Sequence, residues 1–435
     1  MRAWAAAGVF VRCAVGVLLQ ARFCGCRMLR VRSCGAVHGG RAGAWAISAD
    51  VVTTCVALLT AWERKGVVMT KGTARRFAIT VVLLLVMVGS VALFSVYGEA
   101  FFPAYRVASR TLMAAIASLT SVLSSSVSVC DFLLAALVAL AVVSLVYCVA
   151  RRKSFLAWFS RVLLVSSALA TVVVCGWALN HYAPPLSQEI GLDVRECTAE
   201  ELYDATDYYW QQAASFATQV QRDSETAQLA PASFGDLAAK GGAAFAPLAS
   251  QYDVFDGSTV PVKRLSLLGD ALLYAGSDGI FIPLTGEANV PENCAPATLA
   301  FNMCHEAAHR LGIAAEEEAN FAAFMACSAS GDPNFAYSGY YRAFVACFNA
   351  LAENYPSSAE QLLSVDNVTD EKALVIRDML QTSDHYTAYS GTVSEAGQAV
   401  NDAYLKTFGQ QQGTQSYGEW VDYLIAWRAA LSNAS

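Results

Sequence analysis

FLLAALVALAVVSLVYCVA, residues 132–150, indicates the fold class of this chain because the stretch carries no charged residue. Two further runs share this character: residues 77–98, FAITVVLLLVMVGSVALFSVYG, and residues 162–179, VLLVSSALATVVVCGWAL. A helix needs roughly 20 apolar residues to cross the hydrocarbon core of a bilayer, and each run approaches that length. The pattern predicts an α-helical membrane region with three spans rather than three helices buried in a water-soluble core.

The composition divides the chain into two unlike parts. Of its 435 residues, 55% are hydrophobic and 15% are charged, and the mean hydropathy is +0.40. An average soluble domain carries about 25% charged residues. Residues 1–182 hold 18 Lys/Arg and 4 Asp/Glu, whereas residues 183–435 hold 11 Lys/Arg and 32 Asp/Glu. The acidic second part excludes nucleic acid as a partner, because phosphate binding needs clustered Lys and Arg.

Basic residues around the predicted spans indicate how the chain crosses the bilayer. They lie before the first span and between the second and third: Lys71, Arg75, Arg76, Arg151, Arg152, Lys153 and Arg161. Because basic loops stay in the cytoplasm, we expect a multi-pass protein of the cell membrane with a cytoplasmic N-terminus and an extracytoplasmic C-terminal domain. Tyr105, Trp177 and Tyr182 lie near span ends, where interfacial aromatic residues are common.

Three regions follow from these patterns. We expect residues 1–68 to be a non-native or disordered leader, because Met69 begins a short basic lead into the first span. Residues 69–182 form the three-span region, and residues 183–435 form the outer domain. Most of the outer domain has helical periodicity, and residues 279–284 (GIFIPL) are a candidate edge strand. The sequence therefore predicts a mostly helical α+β domain.

The strongest chemical signal is HEAAH at residues 305–309, inside the apolar stretch 295–311 that predicts a buried helix. Positions i and i+4 share a helix face, so His305 and His309 can reach one ion. Glu306 lies one step round the helix, where it can act as a general base on a water beside the ion. This is the zincin motif, and it predicts a Zn²⁺ site that hydrolyses peptide bonds.

A third ligand is expected at the acidic start of the next predicted helix. Gly312 ends the first helix, and the residues that follow offer Glu316 as the favoured ligand, Glu318 as the second choice and Glu317 as the least favoured. Favourable charge at a helix N-terminus would explain the acidity alone, but not the apolar helix behind it. Asn320, one turn after Glu316, is expected to brace a ligand histidine. The absence of a third histidine soon after Gly312 excludes a metzincin site.

Several separated motifs resemble one known family. They are residues 305–330 (HEAAHRLGIAAEEEANFAAFMACSAS), 401–426 (NDAYLKTFGQQQGTQSYGEWVDYLIA), 177–186 (WALNHYAPPL) and 283–290 (PLTGEANV). Together with the three spans they resemble the bacterial membrane-protein family catalogued as domain of unknown function 3810, over about residues 75–430. The resemblance implies a gluzincin-type zinc metallopeptidase with a zincin-like outer domain. Arg310 departs from the family, which usually has Gln there.

Other functional residues stay open at this stage. Four side chains are candidates to stabilise an oxyanion, with aromatic packing as the alternative for each: Tyr337, Tyr340, His385 and Tyr417. Tyr417 lies in a family motif, and His385 is the other histidine of the outer domain. The candidate strand 279–284 would bind substrate by strand addition or be purely structural, and Glu287 would line the cleft or cap a turn.

Two non-catalytic functions compete with the peptidase: a zinc-binding sensor or scaffold of the cell envelope, and a helper subunit of envelope machinery. Glu306 counts against the sensor or scaffold, because a purely structural zinc site needs no base and usually has four protein ligands. The expected partners are a peptide or protein substrate and the lipid bilayer. The acidity of the outer domain would favour basic substrates by steering, or would simply be a solvated surface.

Overall fold

A computed structural model describes residues 70–391 and 420–434, together with Ser394 and Ala399. The leader expected at residues 1–68 and the oxyanion candidate Tyr417 lie outside these residues. The described chain is mostly helical and contains one small sheet, as the sequence predicts.

Within the residues that the structure describes, three helices are long and apolar enough to cross a membrane, in agreement with the three apolar runs. They are α1 (Lys71–Leu123), α2 (Val129–Ala150) and α3 (Phe155–Gly176). Helix α1 extends well beyond the predicted span, because the chain breaks helical geometry only at Tyr97 and then continues as helix past Pro103. Its second half leaves the apolar run and packs on the outer domain.

The outer domain follows a 3₁₀ turn at Ala178–Tyr182. Its first helices are α4 (Leu186–Ile190), α5 (Ala199–Ala217), α6 (Phe234–Ala243), α7 (Ala246–Ala249) and α8 (Gly269–Tyr274). Its later helices are α9 (Pro296–Arg310), α10 (Glu316–Ala329), α11 (Pro333–Asn354), α12 (Pro356–Leu362), α13 (Asp370–Thr387) and α14 (Trp420–Ala434). Helices α9 and α10 lie inside the domain, because α11 packs against both of them and the sheet packs against α9.

The sheet has the strand order β1-β3-β2 and lies against α9. Its strands are β1 (Lys263–Leu265), β2 (Ile280–Ile282) and β3 (Glu287–Pro291). Strand β3 pairs in parallel with β1 and antiparallel with β2. The predicted strand at 279–284 is therefore present as β2, at an edge of the sheet, and all three of its residues are buried. Pro283 follows directly, where its missing N–H removes no ladder hydrogen bond.

The membrane region is tied to this sheet at two places. In the second half of α1, Thr120 donates to the Thr285 carbonyl at the β2–β3 turn. At the start of α2, the backbone N–H groups of Val129 and Cys130 donate to the Glu287 carboxylate, which also receives Lys263 Nζ at 2.8 Å. Glu287 therefore caps a membrane-helix N-terminus, and the expectation that it lines the cleft or caps a turn is wrong.

Candidate metal centre

The two histidines of HEAAH lie on one face of α9, as helical spacing requires. Their Nε2 atoms are 3.0 Å apart. The outer nitrogen of His309, Nδ1, hydrogen-bonds with the Ile313 carbonyl at 2.7 Å, and this contact fixes the ring with Nε2 toward its neighbour. The ring of His305 has no such brace within the described chain, since its buried Nδ1 lacks a hydrogen-bond partner.

A tight turn carries the third donor back to the histidines. Gly312 adopts φ +90°, a left-handed conformation that glycine reaches without steric cost, and ends α9. Helix α10 then begins at Glu316, whose Oε2 lies 3.0 Å from His305 Nε2 and 3.8 Å from His309 Nε2. The favoured third ligand of the sequence prediction therefore meets both histidines.

The geometry of these three donors fits a single divalent ion. One ligand atom from each of His305, His309 and Glu316 lies within 4.8 Å of the others. Ligands bound about 2.0–2.1 Å from a tetrahedral ion are separated by roughly 3.3 Å, and the three observed separations of 3.0, 3.0 and 3.8 Å bracket that value. The group can hold a metal ion, as the sequence predicted.

Glu306 points into the same site without joining the donors. The residue is only 5% exposed, and its Oε2 has no hydrogen-bond partner in the described part of the chain. Gly279, just before β2, makes room for it, because a Cβ at position 279 would lie 2.4 Å from Glu306 Oε1. The sheet thus presents backbone to the carboxylate where any side chain would displace it.

Burial and neighbouring charge shift the pKa values of the two carboxyl groups of the site, Glu306 and Glu316, in opposite directions. Burial raises the pKa of Glu306 to about 7, although His305 opposes the shift. Burial would also raise the pKa of Glu316, but hydrogen bonds from His305 and His309 hold it well below the usual range. Glu316 is therefore anionic at neutral pH, as a metal ligand must be, while Glu306 lies near the pKa expected of a general base.

Glu318 does not contact the two histidines, and Asn320 does not brace them. Glu318 accepts a hydrogen bond from the Leu186 backbone at 2.8 Å and lies near the Tyr423 hydroxyl, so it does not join the histidines. Asn320 lines the cleft, but its buried Nδ2 has no hydrogen-bond partner among the described residues. The expectation that Asn320 braces a ligand histidine is not met, because the Ile313 carbonyl has that position at His309.

Two of the oxyanion candidates have structural roles away from the donors. The Tyr337 hydroxyl donates to the buried carboxylate of Asp378, which also pairs with Arg222 at 2.7 Å. Tyr340 stacks on Phe216 with ring centroids 5.8 Å apart. Neither tyrosine lines the cleft. Aromatic packing, the alternative considered for each, is the correct interpretation, because both rings pack in the core of the domain.

His385 is also absent from the described cleft lining. It lies on α13, where its ring contacts Tyr386 and Tyr389 at centroid distances of 5.1 and 5.5 Å. Its neighbour Tyr386 reaches toward the site instead, since the Tyr386 hydroxyl donates to Asp278 at 3.2 Å. The described contacts of His385 are therefore aromatic, and its role as an oxyanion donor stays a prediction.

The cleft contains residues that sequence reasoning missed. Its described lining is Ser277, Asp278, Gly279, Phe301, Asn302, His305, Glu306, His309, Glu316, Asn320 and Arg342. Asn302 lies three residues before His305 on α9, and its Nδ2 donates to Asp278 at 3.0 Å. The sequence Ser277-Asp278-Gly279 before β2 is typical of a turn. No local pattern indicates that this turn faces HEAAH.

Trp177 joins the end of α3 to the candidate site. Its indole Nε1 donates to the His309 carbonyl at 2.8 Å, and its ring packs against Phe281 with centroids 5.3 Å apart. The residue is 1% exposed. The indole of Trp177 therefore bonds to the ligand helix, and its expected position near the bilayer interface stays a prediction.

Together, these features define a mostly helical protein with three candidate membrane spans and a buried His-His-Glu group that can hold a metal ion. The chain belongs to the family described as "Protein of unknown function (DUF3810)", whose sequence profile matches residues 104–425. The matched region includes all three donors and Glu306. No curated protein and no solved structure has a significant match to the chain.

Proposed function

We propose that this protein is a membrane-anchored, zinc-dependent metallopeptidase of gluzincin type. The observation that carries the proposal is the convergence of His305, His309 and Glu316 beside the buried Glu306, whose Oε2 has no hydrogen-bond partner among the described residues. A purely structural metal site has no use for such a carboxyl group. The edge position of β2 next to the cleft adds support, because an edge strand can bind an extended peptide by strand addition.

The residues divide the chemistry among them. His305, His309 and Glu316 would hold Zn²⁺, which when bound polarises the scissile carbonyl and acidifies water. Glu306 removes the proton from the attacking water and later gives it to the leaving amine. Its raised pKa of about 7 suits both transfers near neutral pH. Tyr417 stays a predicted donor to the oxyanion.

We place the site on the extracytoplasmic side of the cell membrane. The basic residues at the start of α1 and around the connection from α2 to α3 support a cytoplasmic N-terminus. Since three spans then separate the N-terminus from the outer domain, the cleft lies outside. Cysteine substitutions at exposed positions of α12, such as Ser357→Cys, should react with a membrane-impermeant thiol reagent in intact cells; protection of this position until lysis would contradict the orientation.

The decisive variant is Glu306→Gln in the full chain. Wild type and Glu306→Gln should each retain about one Zn²⁺ per chain by elemental analysis, because Glu306 is not a ligand. The variant should lose at least roughly 100-fold in hydrolysis of a mixture of quenched fluorescent peptides. His305→Ala should lose both metal and activity. Glu353→Gln, an exposed carboxyl change on α11, serves as the matched control.

The competing function predicts another pattern. A zinc-binding sensor or scaffold would keep its cellular phenotype in Glu306→Gln and lose it in His305→Ala. A wild-type protein that binds zinc and leaves every peptide intact would also contradict the peptidase proposal.

A further inference from the structure

An arginine in the cleft wall has no role in the chemistry above. Arg342 lies on α11 and lines the cleft together with His305 and Glu306. Its buried Nε has no hydrogen-bond partner, and its guanidinium forms no ion pair within residues 70–391 and 420–434. Arginine side chains that leave bulk water are normally paired with an anion. We therefore expect the anion that pairs with Arg342 to belong to a ligand.

The position of Arg342 is set by contacts between α11 and α9. Ser338 Oγ donates to the Ala297 carbonyl at 2.7 Å and accepts from the Phe301 N–H at 3.0 Å. One turn further along α11, the Arg342 guanidinium lies over the Phe301 ring, 5.3 Å from its centroid. This cation–π contact and the two hydrogen bonds of the Ser338 hydroxyl group hold the guanidinium at a defined place.

That place lies close to the metal donors. Phe301 and His305 are four residues apart on α9, so they share a face and are separated by about 5.4–6 Å along the helix axis. An extended peptide advances about 3.3 Å per residue. A group that contacts Arg342 is therefore one or two residues away from a peptide bond held at His305.

The other charged groups of the cleft do not neutralise this arginine. Asp278 is engaged by Asn302 Nδ2 at 3.0 Å and by the Tyr386 hydroxyl at 3.2 Å. Glu316 faces the two histidines. The guanidinium is left with its planar set of donors, which matches a carboxylate in two parallel hydrogen bonds.

We propose that Arg342 is a specificity-determining residue that binds a carboxylate of the peptide substrate, one or two residues from the scissile bond. This inference rests on the proposed peptidase function. The carboxylate is either the free C-terminus of the peptide or the side chain of Asp or Glu. The overall acidity of the domain would attract basic peptides, whereas Arg342 selects an acidic group at one position.

Binding tests the inference without hydrolysis. The full chain carrying Glu306→Gln and loaded with Zn²⁺ is titrated by calorimetry with N-acetyl-tetraalanine, with its C-terminal amide, and with amides that contain one Asp or one Asn. We expect about tenfold or tighter binding of a carboxylate peptide over its neutral match. The preferred pair identifies the source of the carboxylate.

Arginine variants in the same Glu306→Gln background show which residue is responsible for the preference for carboxylate peptides. Arg342→Met should abolish the preference, Arg342→Lys should retain part of it, and Arg377→Met, which removes an exposed arginine from α13, should leave it intact. Partial retention by lysine distinguishes charge recognition from altered packing. Equal binding of charged and neutral peptides, or a preference that survives in Arg342→Met, would overturn the inference.

Hydrolysis by the Arg342 variants with Glu306 intact separates this inference from the peptidase proposal. If Arg342→Met lowers kcat/KM about tenfold for carboxylate peptides only, both stand. If it lowers kcat/KM equally for all peptides, the peptidase stands and the carboxylate subsite is wrong. If no peptide is cleaved, the peptidase proposal fails, and the binding comparison still decides what Arg342 recognises.

Discussion

At the scale of single residues, Gly279 has a larger influence on the site than its size suggests. The ligand helix supplies His305, His309 and Glu306, but the position of the Glu306 carboxyl group depends on an opposing backbone without a side chain. A Cβ at position 279 would lie 2.4 Å from Oε1 and 2.8 Å from Cγ of Glu306. Because residue 279 has no Cβ, the Glu306 carboxyl group can occupy its observed position.

Gly279→Ala should displace Glu306 and leave the metal donors in place. We expect a loss of roughly 100-fold in peptide hydrolysis, because a shift of about 1 Å in a catalytic group has that effect, with unchanged Zn²⁺ content. Gly235→Ala is the matched control, since a Cβ there meets nothing within 4 Å. Undiminished hydrolysis by Gly279→Ala would show that Glu306 does not need its observed position.

At the scale of elements, the sheet anchors a membrane helix as well as the cleft. Lys263 on β1 and Glu287 on β3 form a salt bridge whose side chains are 1% and 0% exposed. Glu287 also receives the first backbone N–H groups of α2, and Lys263 donates to the Ser124 carbonyl that precedes this helix. Since β3 lies between β1 and β2, the same sheet contacts α2 at one edge and Glu306 at the other.

Glu287→Gln should destabilise this junction, because it leaves the buried Lys263 charge without its anion. We expect the free energy of unfolding to fall by roughly 3–5 kcal/mol, measured as a lower Tm of the protein in detergent. Glu292→Gln is the control: its partner is Arg264, and its side chain is 54% exposed. An exposed pair of this kind contributes about 0–1 kcal/mol. Equal shifts for both variants would contradict the account.

At the scale of the whole molecule, the membrane region and the ligand helix are in direct contact. The end of α3 places Trp177 on the carbonyl of His309, and Asn180 lies beside Gly312, where a Cβ would meet its Oδ1 at 3.0 Å. The turn that positions Glu316 is therefore packed against the chain leaving the third helix. The geometry of the metal donors depends on a segment more than a hundred residues away.

Trp177→Phe should weaken metal binding by this route. Loss of the indole N–H removes a buried hydrogen bond worth about 1 kcal/mol, and the looser His309 should bind Zn²⁺ roughly tenfold less tightly. The measurement is a competition titration with a zinc chelator. Trp158→Phe, which removes an indole bond to Ser144 between α2 and α3, is the control and should leave zinc affinity unchanged. Equal affinities in the two variants would disprove the coupling.

The sequence by itself determined the features that depend on short-range patterns. Uniformly apolar runs predict helices that can cross a membrane, because hydrocarbon thickness dictates their length. The spacing of His305 and His309 predicts a shared helix face, and Gly312 predicts the end of that helix. The position of Glu316 at the start of the next helix follows from the same local geometry.

Only the tertiary structure decided which distant residues complete the site. Tyr337, Tyr340 and Arg342 lie on the same helix, yet the tyrosines belong to the core whereas the arginine lines the cleft. Gly279 and Trp177 reach the site from other elements. Helical and strand periodicity fix which face a residue occupies, but the partner of that face is chosen by packing across the whole domain. The candidate metal donors were therefore readable from sequence, and the shape of the cleft around them was not.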